Sequence, residues 1–147
     1  MYRIFPSPKH CTFYHNTLSC TSYGTVTTAP EIEESCRAAD FDPSTLLAAV
    51  FPGGFSPEGI TLTAEYVSCA PEGFQLNIAP SGIRISCGDG AGFFYALGVL
   101  VQLAAQADGA LPCAEIADEP ALSVRGIMLD IGRDKIPSME TLRGLID

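Results

Sequence analysis

The sequence predicts an α+β fold in which a largely antiparallel sheet carries two helices packed on one face. Apolar and polar residues alternate over residues 74–78 and again over residues 83–87, which is the period of strands with one buried face. Apolar residues then recur at helical spacing from Phe93 to Ala104, which predicts a helix lying flat on the sheet. A second helix and a third strand are predicted earlier in the chain, so the expected fold is a helix layer against a sheet.

The two alternating strands are predicted to form a hairpin. Between them lies Ala79-Pro80-Ser81-Gly82, where Pro80 has a restricted φ and Gly82 can adopt a positive φ. We therefore expect an antiparallel pair. The side chains expected to face the helix are Phe74, Leu76, Ile78, Ile83 and Ile85.

The central helix is expected to follow a glycine-rich corner at residues 88–92, with Asp89 as its N-cap. Core packing is expected to account for most of the aromatic cluster Phe93-Phe94-Tyr95. Gly98 lies inside this helix, where glycine is about 1 kcal/mol less favourable than alanine. Its presence predicts a close approach to a neighbouring backbone.

Three shorter elements are predicted in the first half of the chain. β-Branched residues at 25–28 predict a short strand, and residues 59–63 predict another strand of the same sheet. Between them, Asp42 as N-cap and Pro43 at the first helical position predict a helix that ends before Pro52.

The helical spacing of apolar residues ends at about Gln106. Residues 107–112 are interpreted as a surface connection, and residues 118–120 as a second break. Residues 124–131 form an apolar run typical of a strand buried on both faces, and Ser138 is a candidate cap for a last helix. Because this βα unit stops at Asp147, we expect the polypeptide to be the front of a longer protein.

Composition indicates a globular domain and disfavours several partners. Of 147 residues, 47% are hydrophobic and 17% are charged, which argues against disorder. The net charge of −9, with scattered basic residues, disfavours binding to nucleic acid or to an anionic membrane. No apolar run approaches the roughly 20 residues of a membrane span, and no signal-peptide core follows Met1. We therefore expect a cytoplasmic protein.

The six cysteines have two interpretations, a disulfide framework or buried free thiols. The sequence has no C-x-x-C, and a chain this apolar does not need disulfides to fold, so free thiols are favoured. An alternative is that two of the cysteines, Cys11 and Cys20, bind zinc together with His10 and His15. Their spacing matches no common zinc finger, so we expect neither a metal nor another cofactor.

Two groups of motifs resemble a known family. Residues 74–78, 82–85, 92–97 and 100–103 resemble the non-catalytic N-terminal domain of family 20 glycoside hydrolases. The stretch RGIMLDIGR at residues 125–133, with Pro137, Glu140, Thr141 and Leu142, resembles the start of that family's catalytic barrel. The resemblance implies an accessory domain at residues 1–118. It also implies that residues 119–147 are a truncated first βα unit of a (β/α)8 TIM barrel.

The function implied by the resemblance is that of a β-N-acetylhexosaminidase, which removes terminal N-acetylglucosamine or N-acetylgalactosamine from glycans. In this family the substrate's own 2-acetamido carbonyl attacks the anomeric carbon, a Glu protonates the leaving oxygen, and a preceding Asp orients the acetamido group. No stretch of this chain matches that Asp-Glu pair, and Asp118-Glu119 is interpreted as a solvated linker. We therefore expect no catalytic residue in this chain and no activity from it alone.

Arg125 is the candidate substrate-binding residue, because the resemblance implies that the matching arginine donates hydrogen bonds to ring hydroxyls of the terminal sugar. The alternative is a surface ion pair between Arg125 and a nearby carboxylate. Asp130 and Arg133 are expected to form a structural ion pair near the end of the strand. Many family members have His after the second arginine, whereas this chain has Asp134, so no role of that His is transferred.

Two other classes of function stay open: a free-standing carbohydrate-binding module, and a protein-interaction module without activity. The absence of Trp argues against the first of these, since such modules stack exposed aromatics on sugar rings. The expected partners are N-acetylhexosamine glycans, bound through the full-length enzyme, and the missing catalytic barrel. Without that barrel, the segment from Ala121 onward is expected to be mobile or to pair with a sheet edge or a second copy, giving a homodimer.

Overall fold

A single sheet with helices on one face organises the part of the chain that the structure describes. The structure is a computed structural model, and it describes residues 2–126, 128 and 136–144. The sheet has six strands in the order β1-β6-β4-β5-β3-β2. The strands are β1 (His10–Ser19), β2 (Tyr23–Thr28), β3 (Ile60–Tyr66), β4 (Phe74–Ala79), β5 (Gly82–Cys87) and β6 (Ala110–Asp118). The helices are α1 (Pro30–Ala38), α2 (Ser44–Val50), α3 (Gly90–Gln106) and α4 (Met139–Arg143).

The sheet is mixed. The pairs β1–β6, β6–β4 and β4–β5 are antiparallel, whereas β5–β3 and β3–β2 are parallel. The predicted antiparallel hairpin is confirmed, but β3 pairs with it in parallel. β4 follows β3 in the chain and lies beyond β5 in the sheet, and the chain then turns back to form β5 between them. Helices α1 and α2 form the crossover that a parallel β2–β3 pair requires.

The hairpin has the predicted alternation. Leu76 lies opposite Ile85, and Ile78 lies opposite Ile83, and all four side chains are buried. Gly82 has φ of 140°, and a Cβ at this position would lie 2.6 Å from the carbonyl oxygen of Thr61. Glycine is therefore required both for the turn and for the parallel contact with β3.

Helix α3 lies on β4, β5 and β6, and Asp89 caps it as predicted, with its Oδ1 accepting from the Gly92 N–H at 2.7 Å. Two expectations for this helix are wrong. Phe93 is buried, but Phe94 and Tyr95 are 44% and 37% exposed, because they point away from the stripe that meets the sheet. Apart from its chain neighbours and the backbone of its own helix, no described heavy atom lies within 4 Å of a Cβ built on Gly98, so this glycine does not mark a close approach to a neighbouring backbone.

The first half of the chain contains more structure than predicted. The strands β2 and β3 and the helix α2 are confirmed, but α2 begins one residue later than predicted, with Pro43 and not Asp42 at its N-cap. The Asp42 carboxylate accepts from the Ser44 N–H at 2.9 Å just before the helix. Sequence reasoning missed β1, most of whose residues are exposed, and α1, which buries only Ile32 and Cys36. The predicted layer of two helices is therefore corrected to three: α1 and α3 contact strands of the sheet, and α2 packs on α3.

The interpretation of residues 107–112 as a surface connection is wrong from Ala110 onward. β6 begins there, with Leu111 buried, and it pairs with β1 on one side and β4 on the other. Pro112 is tolerated inside β6 because it lies opposite Thr17, beside the register shift in β1. The long-range pairing of β6, which its local pattern does not indicate, makes it a central strand.

The C-terminal predictions are tested in part. Of the eight residues of the strand predicted at 124–131, four lie outside the described residues, namely 127 and 129–131. The other four are exposed and form no strand. Ser138 caps α4 as predicted, accepting from the Thr141 N–H at 3.2 Å, but α4 buries no residue. In the described part of the chain, no helix is long and apolar enough to cross a membrane.

All six cysteines are free. Cys20, Cys36, Cys87 and Cys113 are buried, as favoured from the sequence, whereas Cys11 and Cys69 are exposed. The expectation of burial is thus wrong for these two. Cys11 lies on the edge strand β1, and Cys69 lies in the connection from β3 to β4.

Candidate functional site

Arg125 lies in a three-residue cluster with Glu72 and Tyr95. Its Nη2 donates to the Glu72 carboxylate and to the Tyr95 hydroxyl, the second contact at 3.3 Å. The Tyr95 hydroxyl also donates to the same Glu72 oxygen at 3.3 Å. The Nη1 group donates to the backbone carbonyl of Leu122. We call Glu72, Tyr95 and Arg125 the Arg125 cluster.

Glu72 is held in an unusual backbone conformation by the start of α3. Its φ is 62°, in the left-handed region, and its N–H donates to Asp89 Oδ2 at 2.8 Å. The other oxygen of Asp89 caps α3. One carboxylate therefore fixes both the first turn of the helix and the backbone that aims Glu72 at Arg125.

A cavity of about 410 Å³ adjoins the Arg125 cluster. Its walls come from α3, from the N-terminal segment at residues 4–9 and from residues 118–121. Gly98 lies in the wall of this cavity, where there is room for a side chain. Its lining is mainly apolar, including Ile4, Phe5, Pro6, Phe74, Phe94, Val99 and Pro120.

Two glutamines of α3 hold the N-terminal segment that forms one wall of this cavity. The Gln102 side chain accepts from the Phe5 N–H at 2.7 Å and donates to the Phe5 carbonyl at 2.9 Å. Gln106 makes the same pair of bonds to Arg3, at 2.8 and 2.6 Å. Because the glutamines are one helical turn apart, they bind alternate residues of an extended chain.

Local interactions favour the charged form of Arg125 and the neutral form of the buried thiols. Hydrogen bonds from Arg125 to Glu72 and then to Tyr95 raise the pKa of Arg125 above its ordinary value. Burial, followed by the nearby Asp89 carboxylate, raises the pKa of Cys87 to about 12. Burial also raises the pKa values of Cys20, Cys36 and Cys113. A protonated thiol is a poor nucleophile, so the buried cysteines do not suit covalent catalysis.

Of the other residues singled out in the sequence, those that the structure describes do not assemble into a site. Asp118 ends β6 and accepts from the Lys9 N–H at 3.2 Å, and Glu119 pairs with the Lys9 ammonium at 2.9 Å, so this acidic pair binds the N-terminal segment. Asp130, Arg133 and Asp134 lie outside the described residues. Within the described ranges, no group of three or more His, Cys, Asp or Glu side chains is arranged to hold a metal ion, and this includes His10, Cys11, His15 and Cys20.

Sequence reasoning missed the arrangement on the uncovered face of the sheet. The pairing registers align two rows of side chains across five strands. The first row contains Thr63, Arg84, Asn77, Glu115 and Thr12, and the second contains Glu65, Ser86, Gln75, Ala117 and His10. The rows border an open groove of about 830 Å³. Alternation indicates which residues of each strand point outward, but only the registers place them side by side.

The sheet, its helical layer and the Arg125 cluster define a small α+β domain. The family model "Glycosyl hydrolase family 20, domain 2" matches residues 1–119, and the chain therefore belongs to that family. This agrees with the resemblance noted in the hairpin and the central helix.

Two curated relatives match parts of the chain. The β-hexosaminidase of Akkermansia muciniphila is 33% identical over 79 residues, which are 52% of this chain and 16% of that protein. The β-hexosaminidase of Vibrio vulnificus is 28% identical over 131 residues, covering 89% of this chain and 15% of that protein. The chain thus spans about one sixth of the length of these relatives.

Solved structures share the fold over nearly the whole chain. The β-N-acetylhexosaminidase of Bacteroides fragilis superposes with a TM-score of 0.71 and 23% identity, over 97% of this chain and 30% of that one. A family 20 exo-β-N-acetylglucosaminidase of Vibrio harveyi, solved with N-acetylglucosamine, has a TM-score of 0.70 and 21% identity, over 97% and 23% of the respective chains. At these identities the likeness establishes the fold.

Proposed function

We propose that this chain is the accessory N-terminal part of a β-N-acetylhexosaminidase that removes terminal N-acetylglucosamine or N-acetylgalactosamine from glycans. The observation that carries the proposal is the family match over residues 1–119, followed at once by the barrel-like motif that begins at Arg125. Support for the sugar class comes from the Vibrio harveyi relative, which was solved with N-acetylglucosamine.

In this proposal the chain divides at residues 118 and 119. Residues 1–118 form the non-catalytic domain, and residues 119–147 supply the first strand and helix of the catalytic barrel. Arg125 donates hydrogen bonds to ring hydroxyls of the terminal sugar, for which a planar guanidinium with several fixed donors is well suited. The Asp and Glu of substrate-assisted catalysis are supplied by a later part of the full-length enzyme.

The experiment is an activity assay on the 147-residue chain with a nitrophenyl N-acetylglucosaminide. We expect no nitrophenol release above the buffer blank, because no residue of this chain matches the general acid or the acetamido-orienting carboxylate. A preparation treated in the same way but carrying Arg125→Ala serves as the control for contaminating enzyme. Turnover by the wild-type chain that disappears in Arg125→Ala would contradict the accessory role.

A carbohydrate-binding module is the second candidate, and the polar rows on the uncovered sheet face favour it. Hydroxyl, amide and carboxylate groups line that groove, and such groups hydrogen-bond sugar hydroxyls. Titration of the ¹⁵N-labelled chain with N-acetylglucosamine oligomers distinguishes the two. Shifts at Asn77, Arg84 and Glu115 would support the module, whereas shifts centred on Arg125 support the first proposal.

A further inference from the structure

We propose that the N-terminal segment and the outer side of α3 form a docking surface for the catalytic barrel of the same enzyme, with Phe5 as its anchor. This inference rests on the proposed function, in which the barrel begins at residue 119 and is completed by a later part of the full-length enzyme. It starts from three exposed aromatic side chains that line one cavity, Phe5, Phe94 and Tyr95.

The first support is the way in which Phe5 is held. Its side chain is 85% exposed, although the Gln102 side chain binds both its N–H and its carbonyl, at 2.7 and 2.9 Å. Gln106 binds Arg3 in the same way. Ordering these residues costs conformational entropy, and burial of the Phe5 ring within this chain offsets very little of it. A ring that is fixed before its partner arrives loses less entropy on binding, which suits an interface anchor.

The second support is the apolar surface around Phe5. Phe94 and Tyr95 are 44% and 37% exposed. The Phe94 ring packs edge-on against Phe41 and Tyr95, with centroid distances of 5.2 and 5.5 Å. Gly98 lies in the wall of the same cavity, where there is room for a side chain of a partner. A group of exposed aromatic rings, unlike a single one, is typical of a surface that binds another protein domain.

The third support identifies what covers this surface. The connection that follows β6 runs along the same cavity, which is lined by Asp118, Glu119, Pro120 and Ala121. Glu119 also pairs with Lys9 of the N-terminal segment at 2.9 Å. A barrel that begins at residue 119 is therefore tethered beside this surface. Tethering raises its effective concentration there and favours it over a partner that arrives by diffusion.

The uncovered face of the sheet is a poorer match for this contact. Its two rows of side chains are polar at every position except Ala117. A domain that covered them would have to satisfy each of these polar groups, because a buried donor or acceptor without a partner is destabilising. The helix side needs mainly apolar contacts, so we assign the barrel to that side.

The experiment is hydroxyl-radical footprinting, in which mass spectrometry measures how fast each aromatic side chain is oxidised. It is applied to the 147-residue chain and to the full-length enzyme. We expect oxidation of Phe5, Phe94 and Tyr95 to be slowed several-fold in the full-length enzyme, because the barrel covers them. Phe55 is the matched control, since it is 67% exposed and lies beside β2, at the other edge of the sheet from β1. Its oxidation is expected to stay the same.

A pair of variants tests the role of Phe5 as the anchor. In full-length Phe5→Ala, we expect the oxidation of Phe94 and Tyr95 to rise towards the rate in the 147-residue chain, whereas Phe55→Ala leaves it unchanged. Both substituted rings are mostly exposed, so we expect circular dichroism to show that both variants fold. Continued protection of Phe94 and Tyr95 in Phe5→Ala would overturn the anchor role.

The remaining outcomes separate this inference from the proposed function. If Phe5 is oxidised equally fast in both polypeptides, while the full-length enzyme releases nitrophenol, the docking surface alone is overturned. If Phe5 is protected but no nitrophenol is released, the docking surface is supported and the proposed activity fails. Protection that grows with the concentration of the 147-residue chain would assign the surface to a second copy and overturn the barrel as its occupant. A coding sequence without a barrel after residue 147 would overturn both proposals.

Discussion

Asp89 shows how one residue can connect the fold to the candidate site. The sequence identifies it as the N-cap of α3, and the structure confirms this role. Its second oxygen accepts from Glu72, a contact over 17 residues that the local pattern does not reveal. The start of α3 and the position of the Arg125 cluster therefore depend on the same carboxylate.

The raised pKa of Cys87 predicts how the stability of the fold changes at alkaline pH. This pKa rises from 9.0 to about 12 because the thiol is buried and lies near the Asp89 carboxylate. The unfolded chain therefore releases this proton at a lower pH than the folded one, and the stabilisation is present below pH 9 and lost between pH 9 and 12. We expect the free energy of unfolding, measured with urea, to fall there by up to about 1.4 kcal/mol per pH unit from this thiol.

The control for this prediction is Cys87→Ala. The quantity compared between wild type and variant is the slope of the free energy of unfolding against pH, and not the free energy itself. Removing a fully buried side chain lowers stability at every pH, whereas the titration affects only the slope. Cys20, Cys36 and Cys113 also have raised pKa values and contribute a residual slope in both proteins. Equal slopes in wild type and variant would show that Cys87 does not titrate as described.

At the scale of elements, β4 provides a direct test of alternation. Leu76 is 1% exposed and packs in the core under α3, while Gln75 lies on the open face. Leu76→Ala is expected to lower the free energy of unfolding by about 2–5 kcal/mol, because it removes buried methyl groups and leaves a cavity. Gln75→Ala is expected to change it by less than about 0.5 kcal/mol.

The two variants form a matched pair, since they are neighbours on one strand and differ in the face they occupy. Urea denaturation of both at the same pH gives the comparison. Similar losses would mean that the outer face of β4 is covered in solution. A small loss for both would mean that the α3 layer packs loosely on the hairpin.

Helix α3 shows what helical periodicity in the sequence can predict and what it cannot. Spacing correctly identified the sheet-facing residues Phe93, Leu97 and Leu100, because a straight helix presents them on one side. The same pattern cannot reveal what lies on the other side. There, Gln102 and Gln106 bind the N-terminal segment, and Gly98 lines a cavity.

At the scale of the whole molecule, the core and the C-terminal segment are separate in sequence. Core residues run from Leu18 to Ile116, whereas Leu122, Val124, Met128, Ile136 and Met139 are exposed. We expect a chain shortened to residues 1–119 to keep a cooperative fold, with a free energy of unfolding within about 1 kcal/mol of the 147-residue chain. The main described interaction it loses is the partly exposed Arg125–Glu72 ion pair, a kind of contact that contributes little.

Chemical denaturation and circular dichroism of both lengths test this expectation. The shortened chain keeps the Lys9–Glu119 ion pair, so the anchor of the N-terminal segment is present in both. A shortened chain that fails to fold, or that unfolds without cooperativity, would show that residues after 119 belong to the core of this domain.

The sequence by itself determined the hairpin, the capped central helix, the helix after Asp42 and the family resemblance. These features depend on alternation, capping and turn residues, which act over a few positions of the chain. Only the tertiary structure decided that β6 is a central strand, that β3 joins β5 in parallel and that the edge strand β1 exists. It also decided the partner of Arg125, which is Glu72, 53 residues earlier. Such contacts join residues far apart in sequence, and the register and crossover that bring them together leave no periodic signal in either segment.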